Sequence, residues 1–189
     1  MQNQLVIMVK EPRTGRVKTR LGKDIGMVSA VWWYRHQAKS LIKRLEDPRW
    51  TLSLAITPDI AALNSQFWPA HISRLGQGRG DLGARMTNLL RHGPPGPVCI
   101  IGSDIPSISK NHINQAFKAL SESEWVFGPA QDGGFWLVGA KRISALPLAL
   151  FKGARWSTQN ALKDSLSSIP SRRIAFIDWL SDVDTGADL

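Results

Sequence analysis

The sequence has a single cysteine, no long apolar run and few acidic residues. One cysteine excludes an internal disulfide framework, and Cys99 stands in the apolar run Val98–Ile101, where we expect an inert thiol in a buried strand. No run approaches the roughly 20 apolar residues that cross a bilayer. The amino-terminal stretch Gln2–Val9 is too short for a signal peptide. We therefore expect a cytoplasmic protein with no membrane span.

Several motifs of catalysis and nucleotide binding are also missing. The four histidines have no metal-ligand spacing, which argues against a zinc site. No G-x-S-x-G elbow or Cys/His pairing indicates covalent hydrolysis. The glycine-containing segment 8–22 is not a P-loop, because the Lys-Thr pair of that motif must directly follow its second glycine and here Lys18-Thr19 follows Val17, and it is not the dinucleotide motif G-x-G-x-x-G.

Acidic residues are scarce: 15 Asp and Glu stand against 24 Lys and Arg, a formal charge of +9. Such a balance implies an anionic partner, and nucleic acid, nucleotides, sugar phosphates and acidic membrane surfaces all fit. Nucleic acid is the weaker interpretation, because the basic segment 8–22 contains no aromatic residue on which a base could stack. The aromatic run Trp32-Trp33-Tyr34 lies in a helical stretch, where packing is the simpler explanation.

The 189 residues are 43% hydrophobic and 21% charged, values typical of a soluble globular protein, and we predict one domain over residues 1–189. Short apolar runs predict strands at Leu5–Val9, Leu52–Ile56, Ile72–Leu75, Val98–Ile101, Trp125–Gly128, Phe135–Val138 and Ile174–Ile177. The intervening segments predict helices at Val28–Leu45, Asp59–Gln66, Leu82–Arg91, Lys110–Leu120 and Thr158–Leu166. Continuous apolar strands alternating with helices favour an α/β fold with a mostly parallel sheet covered on both faces.

Polar segments follow the predicted strands, at the edge where open α/β sheets bind ligands. They are the opening segment 10–20, Gln77–Gly83, Gly102–Pro106, Gly128–Gly134 and Asp182–Thr185. The opening segment combines Gly15 with the cations Lys10, Arg13, Arg16, Lys18 and Arg20. Such a loop suits a diphosphate or triphosphate, and it also fits a solvated basic surface.

The carboxylates of these segments have two interpretations each. Asp104, just beyond the strand Val98–Ile101, is either a helix cap or a ligand of Mg²⁺, with Asp184 or Asp182 as the second carboxylate. The segment Gly128–Gly134 is either a plain β-turn or a place where a ligand approaches the backbone closely.

Taken in order, six motifs resemble a known family. They are Val9-Lys10-x-Pro12-x-x-Gly15-x-Val17-Lys18-Thr19-Arg20-Leu21, Gln77-Gly-x-Gly-Asp81-Leu-Gly83-x-Arg85-Met86, Gly102-Ser-Asp104-x-Pro106, Gly128-Pro-Ala-x-Asp132-Gly-Gly134, Trp156-Ser-Thr158 and Asp182-Val-Asp184-Thr185. The chain resembles the bacterial glycosyltransferase-A-like family of nucleotide-diphospho-sugar transferases, some linked to arsenosugar biosynthesis. More distantly it resembles phospholactate guanylyltransferase and the molybdenum-cofactor nucleotidyltransferases.

The resemblance implies a three-layer α/β/α domain of Rossmann-like glycosyltransferase-A type that binds a nucleotide and Mg²⁺ or Mn²⁺. It places the phosphates on Lys10, Arg13, Gly15, Lys18 and Arg20, and the nucleotide or donor beside Gln77, Asp81 and Arg85. It places the metal on Asp104 and Asp184, with Asp182 as a weaker candidate. It places the second substrate at Asp132, Gly133, Gly134 and Trp156. This chain has Gly186-Ala187-Asp188 where the family usually has Pro-Glu-Asp, a departure expected to weaken the local turn more than the metal site.

The expected reaction is metal-dependent glycosyl transfer from a nucleotide sugar to a small-molecule acceptor. Asp104 and Lys18 would stabilise the leaving diphosphate, and Asp132 would act as general base. The alternative is a nucleotidyltransferase that joins a nucleoside triphosphate to a phosphorylated small molecule and releases pyrophosphate. A non-catalytic nucleotide sensor is a third interpretation. The oligomeric state, the base, the sugar and the acceptor stay open.

Overall fold

A computed structural model describes residues 2–170 and 173–189 of the chain. Within these residues seven strands form one sheet in the order β3-β2-β1-β4-β6-β5-β7. The strands are β1 Asn3–Lys10, β2 Trp50–Thr57, β3 Ser73–Gly76, β4 Val98–Ile101, β5 Trp125–Pro129, β6 Phe135–Ala140 and β7 Ile174–Phe176. The helices are α1 Thr19–Ile25, α2 Met27–Leu45, α3 Ile60–Asn64, α4 Leu82–His92, α5 Lys110–Glu122, α6 Ala161–Ser167 and a short 3₁₀ helix at Gly186–Asp188.

Two hydrophobic cores lie on opposite faces of the sheet. Side chains alternate along β1, so that Leu5 and Ile7 join one core while Val6 joins the other. Helices α2 and α5 cover the first core, and α4 and α6 cover the second. The predicted α/β/α arrangement is therefore confirmed, as is the burial of Cys99, which is fully enclosed.

The sheet is mostly parallel, as predicted, with one reversed strand. Strands β1, β2, β3 and β4 pair in parallel, and so do β5 and β7, whereas β6 runs antiparallel to both of its neighbours. The carboxyl ends of β1, β4 and β5 consequently meet the beginning of β6 at one edge. The polar segments that follow these strands are brought together there.

Two helices differ from the prediction for local reasons. No helix was predicted at Thr19–Ile25, where α1 forms directly after Lys18 and buries Leu21. The helix predicted from Thr158 begins only at Ala161, because Thr158 forms a turn: its hydroxyl donates to Arg155 O and accepts from Asn160 N. Helix α1 thus begins earlier than any helix predicted in that part of the chain, and α6 begins later than predicted because of the Thr158 turn.

No helix among the described residues combines the length and the apolar character that a membrane crossing needs.

Candidate functional site

A cleft of about 1000 Å³ opens at the carboxyl edge of the sheet. Most of the residues that the sequence singles out line it: Lys10, Lys18, Arg20, Gln77, Asp81, Arg85, Asp104, Asp132, Gly134, Trp156, Asp182 and Asp184. Arg13, Gly15 and Gly133 lie outside its lining. The placement agrees with the rule that ligands of open α/β sheets bind beyond the carboxyl ends of the strands.

Three carboxylates form a cluster in this cleft. Asp104, Asp182 and Asp184 each offer an oxygen, and these oxygens lie within 4.8 Å of one another. Each of the three residues is partly exposed, so a ligand can reach them from the cleft. An all-oxygen donor set of this kind fits a hard divalent cation such as Mg²⁺, which takes one or two carboxylates and completes its shell with water and phosphate oxygens.

The carboxyl-terminal segment reaches Asp104 through backbone contacts. Leu180 bridges to Ala130 beside β5, and Val183 N donates to Asp104 O at 3.1 Å while the Val183 side chain is buried. These contacts fix the residues on either side of Val183 next to Asp104. Because the segment is anchored at Val183, both Asp182 and Asp184 remain at the rim of the cleft.

The turn after Asp184 is held by Asp188, despite the departure at residues 186–188. One Asp188 oxygen accepts from Asp184 N, Thr185 N and the Thr185 hydroxyl, and these hydrogen bonds lower the pKa of Asp188. Gly186 N also donates to Asp24 Oδ2 at 2.8 Å. A proline at this position could not make that bond, because it has no N–H.

Lys18 is the cation at the centre of the carboxylate cluster. Its Nζ lies 2.6 Å from Asp104 Oδ2 and 2.9 Å from Asp184 Oδ1, and its side chain is only 6% exposed. Its backbone is left-handed, with φ of 46°, a conformation that lysine rarely adopts and that turns the chain into α1. Arg20, which is largely exposed, contacts Asp184 Oδ2 at 3.0 Å.

The cluster shifts the pKa values of its members in opposite directions. Burial lowers the pKa of Lys18, but the charge and hydrogen bond of Asp104, helped by Asp184, raise it overall. Burial would raise the pKa of Asp184, yet the bonds and charges of Lys18 and Arg20 lower it. Asp182 has a raised pKa, because it is partly buried and lies close to Asp184 and Asp104.

A buried pair of hydroxyl groups connects the end of β1 to the segment after β4. Lys10 N donates to the Tyr34 hydroxyl at 2.8 Å, and that hydroxyl lies 3.2 Å from Ser103 Oγ. Burial raises the pKa of Tyr34 to about 12, so the phenol keeps its proton. Either hydroxyl can donate in the contact between Tyr34 and Ser103, and Ser103 also lines the cleft.

Sequence reasoning missed this pair. Tyr34 is the single tyrosine of the chain, and its helical surroundings indicate packing. Ser103 stands next to Asp104 in a motif already singled out, so its position in Gly102-Ser-Asp104 was the available signal.

One wall of the cleft is formed by the segment after β3. The Gln77 amide donates to Val9 O at 3.0 Å and Ala55 O at 2.8 Å, which fixes the orientation of this buried side chain. Asp81 caps α4 by accepting from Ala84 N, and Arg85 Nε donates to Gly80 O. These bonds hold the wall in place.

The opposite wall is formed by the β5–β6 turn and the segment before α6. Asp132 accepts from Gly134 N, and Gly133, with φ of 84°, packs so tightly that a Cβ would collide with the backbone of Gln159. The Trp156 ring lies against Phe151, with ring centroids 6.1 Å apart. Close packing thus positions Asp132 and Trp156 on one side of the cleft.

A family profile described as "Uncharacterized protein conserved in bacteria (DUF2064)" matches residues 41–158. The chain belongs to the DUF2064 family. The match spans the Gln77, Asp104 and Asp132 segments of the site. A search of the curated proteins finds no match to this DUF2064 sequence.

Solved structures share the fold of this DUF2064 protein. One is a "putative nucleotide-diphospho-sugar transferase" from Desulfovibrio desulfuricans G20, with 28% identity, a TM-score of 0.83, and coverage of 98% of this chain and 84% of that one. A second is 4-diphosphocytidyl-2C-methyl-D-erythritol synthase from Anaerococcus prevotii DSM 20548, with 11% identity, a TM-score of 0.60, and coverage of 99% and 94%.

A third is glucosyl-3-phosphoglycerate synthase from Mycobacterium tuberculosis, solved with Mn²⁺, uridine diphosphate and phosphoglyceric acid. It shares 11% identity with this chain at a TM-score of 0.55, and the match covers 99% of this chain and 72% of that one. At such low identity the second and third structures establish the common fold alone.

Proposed function

We propose that this protein is a transferase that moves a glycosyl group from a nucleotide sugar to a small-molecule acceptor, with Mg²⁺ or Mn²⁺ as cofactor. The observation that carries the proposal is the cluster of Asp104, Asp182 and Asp184 around Lys18 at the carboxyl edge of the sheet. The similarity to the Desulfovibrio desulfuricans protein, at 28% identity over nearly the whole chain, supports the same class of donor.

The roles of the residues follow from charge. Asp104 and Asp184, with Asp182 beside them, would hold the cation, whose charge would offset the negative charge that develops on the leaving diphosphate. Lys18 and Arg20 contact these carboxylates and supply further positive charge to the same phosphates. Lys10, the last residue of β1, also lines the cleft and is available to the phosphates, and Arg13 and Gly15 lie in the loop that follows it.

The two walls separate donor from acceptor. Gln77, Asp81 and Arg85 hold the nucleotide side of the donor, and Asp132, Gly134 and Trp156 face the acceptor, with Gly133 shaping their turn. The acceptor hydroxyl attacks the anomeric carbon of the sugar while the bond from that carbon to the diphosphate oxygen breaks. The Asp132 carboxylate takes the hydroxyl proton, as a general base within the cleft.

A nucleotidyltransferase is the second candidate, because the same cations and carboxylates suit a triphosphate and because 4-diphosphocytidyl-2C-methyl-D-erythritol synthase shares the fold. In that reaction a phosphorylated acceptor attacks the α-phosphorus and pyrophosphate leaves. The two reactions release different products from different donors.

Product analysis tests both candidates. The protein is incubated with Mg²⁺ or Mn²⁺ and a panel of nucleotide sugars or nucleoside triphosphates, together with small phosphorylated and hydroxylated acceptors. Release of a nucleoside diphosphate that depends on the acceptor is the expected result. Release of pyrophosphate from a triphosphate would replace the first candidate by the second, and binding of nucleotides without either product would indicate a sensor.

A further inference from the structure

Lys18 already occupies the place between two of the carboxylates that would hold the cation. Its Nζ bridges Asp104 Oδ2 and Asp184 Oδ1 at 2.6 Å and 2.9 Å. The Lys18 side chain is almost completely buried, so water screens its charge poorly. The backbone of Lys18 is left-handed where its side chain leaves the chain toward the two carboxylates.

A divalent ion held by this cluster and the Lys18 ammonium would share two carboxylates, because Asp104 and Asp184 belong to the cluster and also contact Nζ. An ion coordinated by Asp104 and Asp184 would sit about 2.0–2.6 Å from their oxygens, close to the position of Nζ. Two cations at such a distance repel each other strongly in a poorly solvated site. The ion therefore binds well only if the Lys18 ammonium moves to another anion.

We infer that Lys18 suppresses metal binding in the nucleotide-free protein, so that the cation enters together with a nucleoside diphosphate or triphosphate. The inference rests on the proposed function. Phosphate oxygens entering the cleft give the ammonium a new partner, and they also supply ligands to the cation. Lys18 is thus a positioning residue that makes the metal–nucleotide complex, rather than the free ion, the species that the site accepts.

Binding of Mn²⁺ alone tests the inference, because it needs no substrate. Free Mn²⁺ is measured by electron paramagnetic resonance during titration of the wild type and of Lys18→Met, a side chain of similar length without charge. We expect Lys18→Met to bind Mn²⁺ tighter by on the order of tenfold or more, since it loses a close repulsive charge.

Arg20→Met is the matched control. It also removes one positive charge beside Asp184, but the Arg20 side chain is 68% exposed, so solvent screens its charge. We expect its Mn²⁺ affinity to stay within about threefold of the wild type. An unchanged or weaker affinity in Lys18→Met, or an equal gain in Arg20→Met, would overturn the inference.

A measurement on the wild type covers the case in which Lys18→Met does not fold. Crystals soaked in MnCl₂ without nucleotide are expected to show no anomalous peak between Asp104 and Asp184 while Lys18 bridges them. A peak there, with Nζ still within ion-pair distance of both carboxylates, would refute the role of Lys18.

The double variant Lys18→Met/Asp104→Asn separates this inference from the proposed function. If Asp104 holds the ion, the gain in Mn²⁺ affinity disappears in the double variant. If the double variant keeps the gain, the ion binds elsewhere, and the metal site of the proposed function fails together with the inference. If Asp104→Asn alone weakens Mn²⁺ binding in the presence of nucleotide while Lys18→Met shows no gain, the metal site stands and only the role of Lys18 fails.

Discussion

Replacing Asp104 by asparagine should separate the chemistry of the site from the stability of the fold. Asparagine keeps the size of the side chain but removes the negative charge that would hold the cation beside the leaving diphosphate. Loss of one electrostatic partner of this kind typically costs on the order of 10²–10³ in rate, or about 2.7–4 kcal/mol of transition-state stabilisation. We therefore expect turnover to fall by that factor.

The effect on stability should be smaller, for a reason visible in the contacts of Lys18. Removing one partner of a buried ion pair typically costs about 3–5 kcal/mol, because a charge is left unpaired. Lys18 keeps its contact with Asp184 at 2.9 Å after the substitution, so it is not left alone. With the Asp104 side chain itself 34% exposed, we expect a loss of about 1–2 kcal/mol in the free energy of unfolding.

Two quantities are measured for the wild type and the variant. One is the rate of nucleoside diphosphate release from the donor identified by the product panel, and the other is the free energy of unfolding in urea. Asp178→Asn is the matched control: it makes the same chemical change at a carboxylate that lies outside the cleft lining and contacts His112 at 3.7 Å. The control should keep its rate. An Asp104→Asn protein that unfolds cooperatively and turns over as fast as the wild type would refute the assignment of Asp104.

Three further predictions concern the walls and the core. Gly133→Ala should lower the free energy of unfolding by about 2 kcal/mol or more, measured in urea, since its φ of 84° is strained for alanine and its Cβ would meet the Gln159 backbone; an unchanged stability would contradict this packing. Asp164, whose pKa Arg155 lowers to about 2 from the ordinary 3.8 by hydrogen bonding, should stabilise the fold fully above pH 3.8 and progressively less as the pH falls toward 2. The stability difference between wild type and Asp164→Asn should shrink over that interval, and a difference independent of pH would exclude the ion pair as its cause. Burial raises the pKa of the Cys99 thiol, so a small maleimide should label Cys99 only after unfolding, and rapid labelling of the native protein would show that β4 opens.

Most of the sheet was predictable because its central strands are apolar runs in the sequence. Strand β4 has the predicted bounds Val98–Ile101, since both of its faces are buried and every residue is apolar. The position of Asp104 beyond that strand follows from the same run. Its proximity to Asp184 came from the resemblance to a family, because no local pattern relates residues so far apart in the chain.

The conformation of Lys18 could not be predicted from local preferences. Steric clashes disfavour φ of 46° for lysine, and the contacts to Asp104 and Asp184 that accompany it come from distant segments. The link from Tyr34 to Ser103 was hidden for a similar reason. A tyrosine on the buried face of a helix indicates packing, and only the arrangement of α2 against β4 shows where its hydroxyl ends.

The distances along the sequence between Lys18, Asp104 and Asp184 have a consequence for biosynthesis. A chain emerging from the ribosome presents Lys18 and Asp104 well before residues 182–184, so the first four strands can pair before the carboxyl-terminal segment exists. Until Val183 docks on Asp104, the nascent chain has one carboxylate of the cluster instead of three. The carboxylate cluster is thus completed among the last steps of folding, after the sheet that carries it.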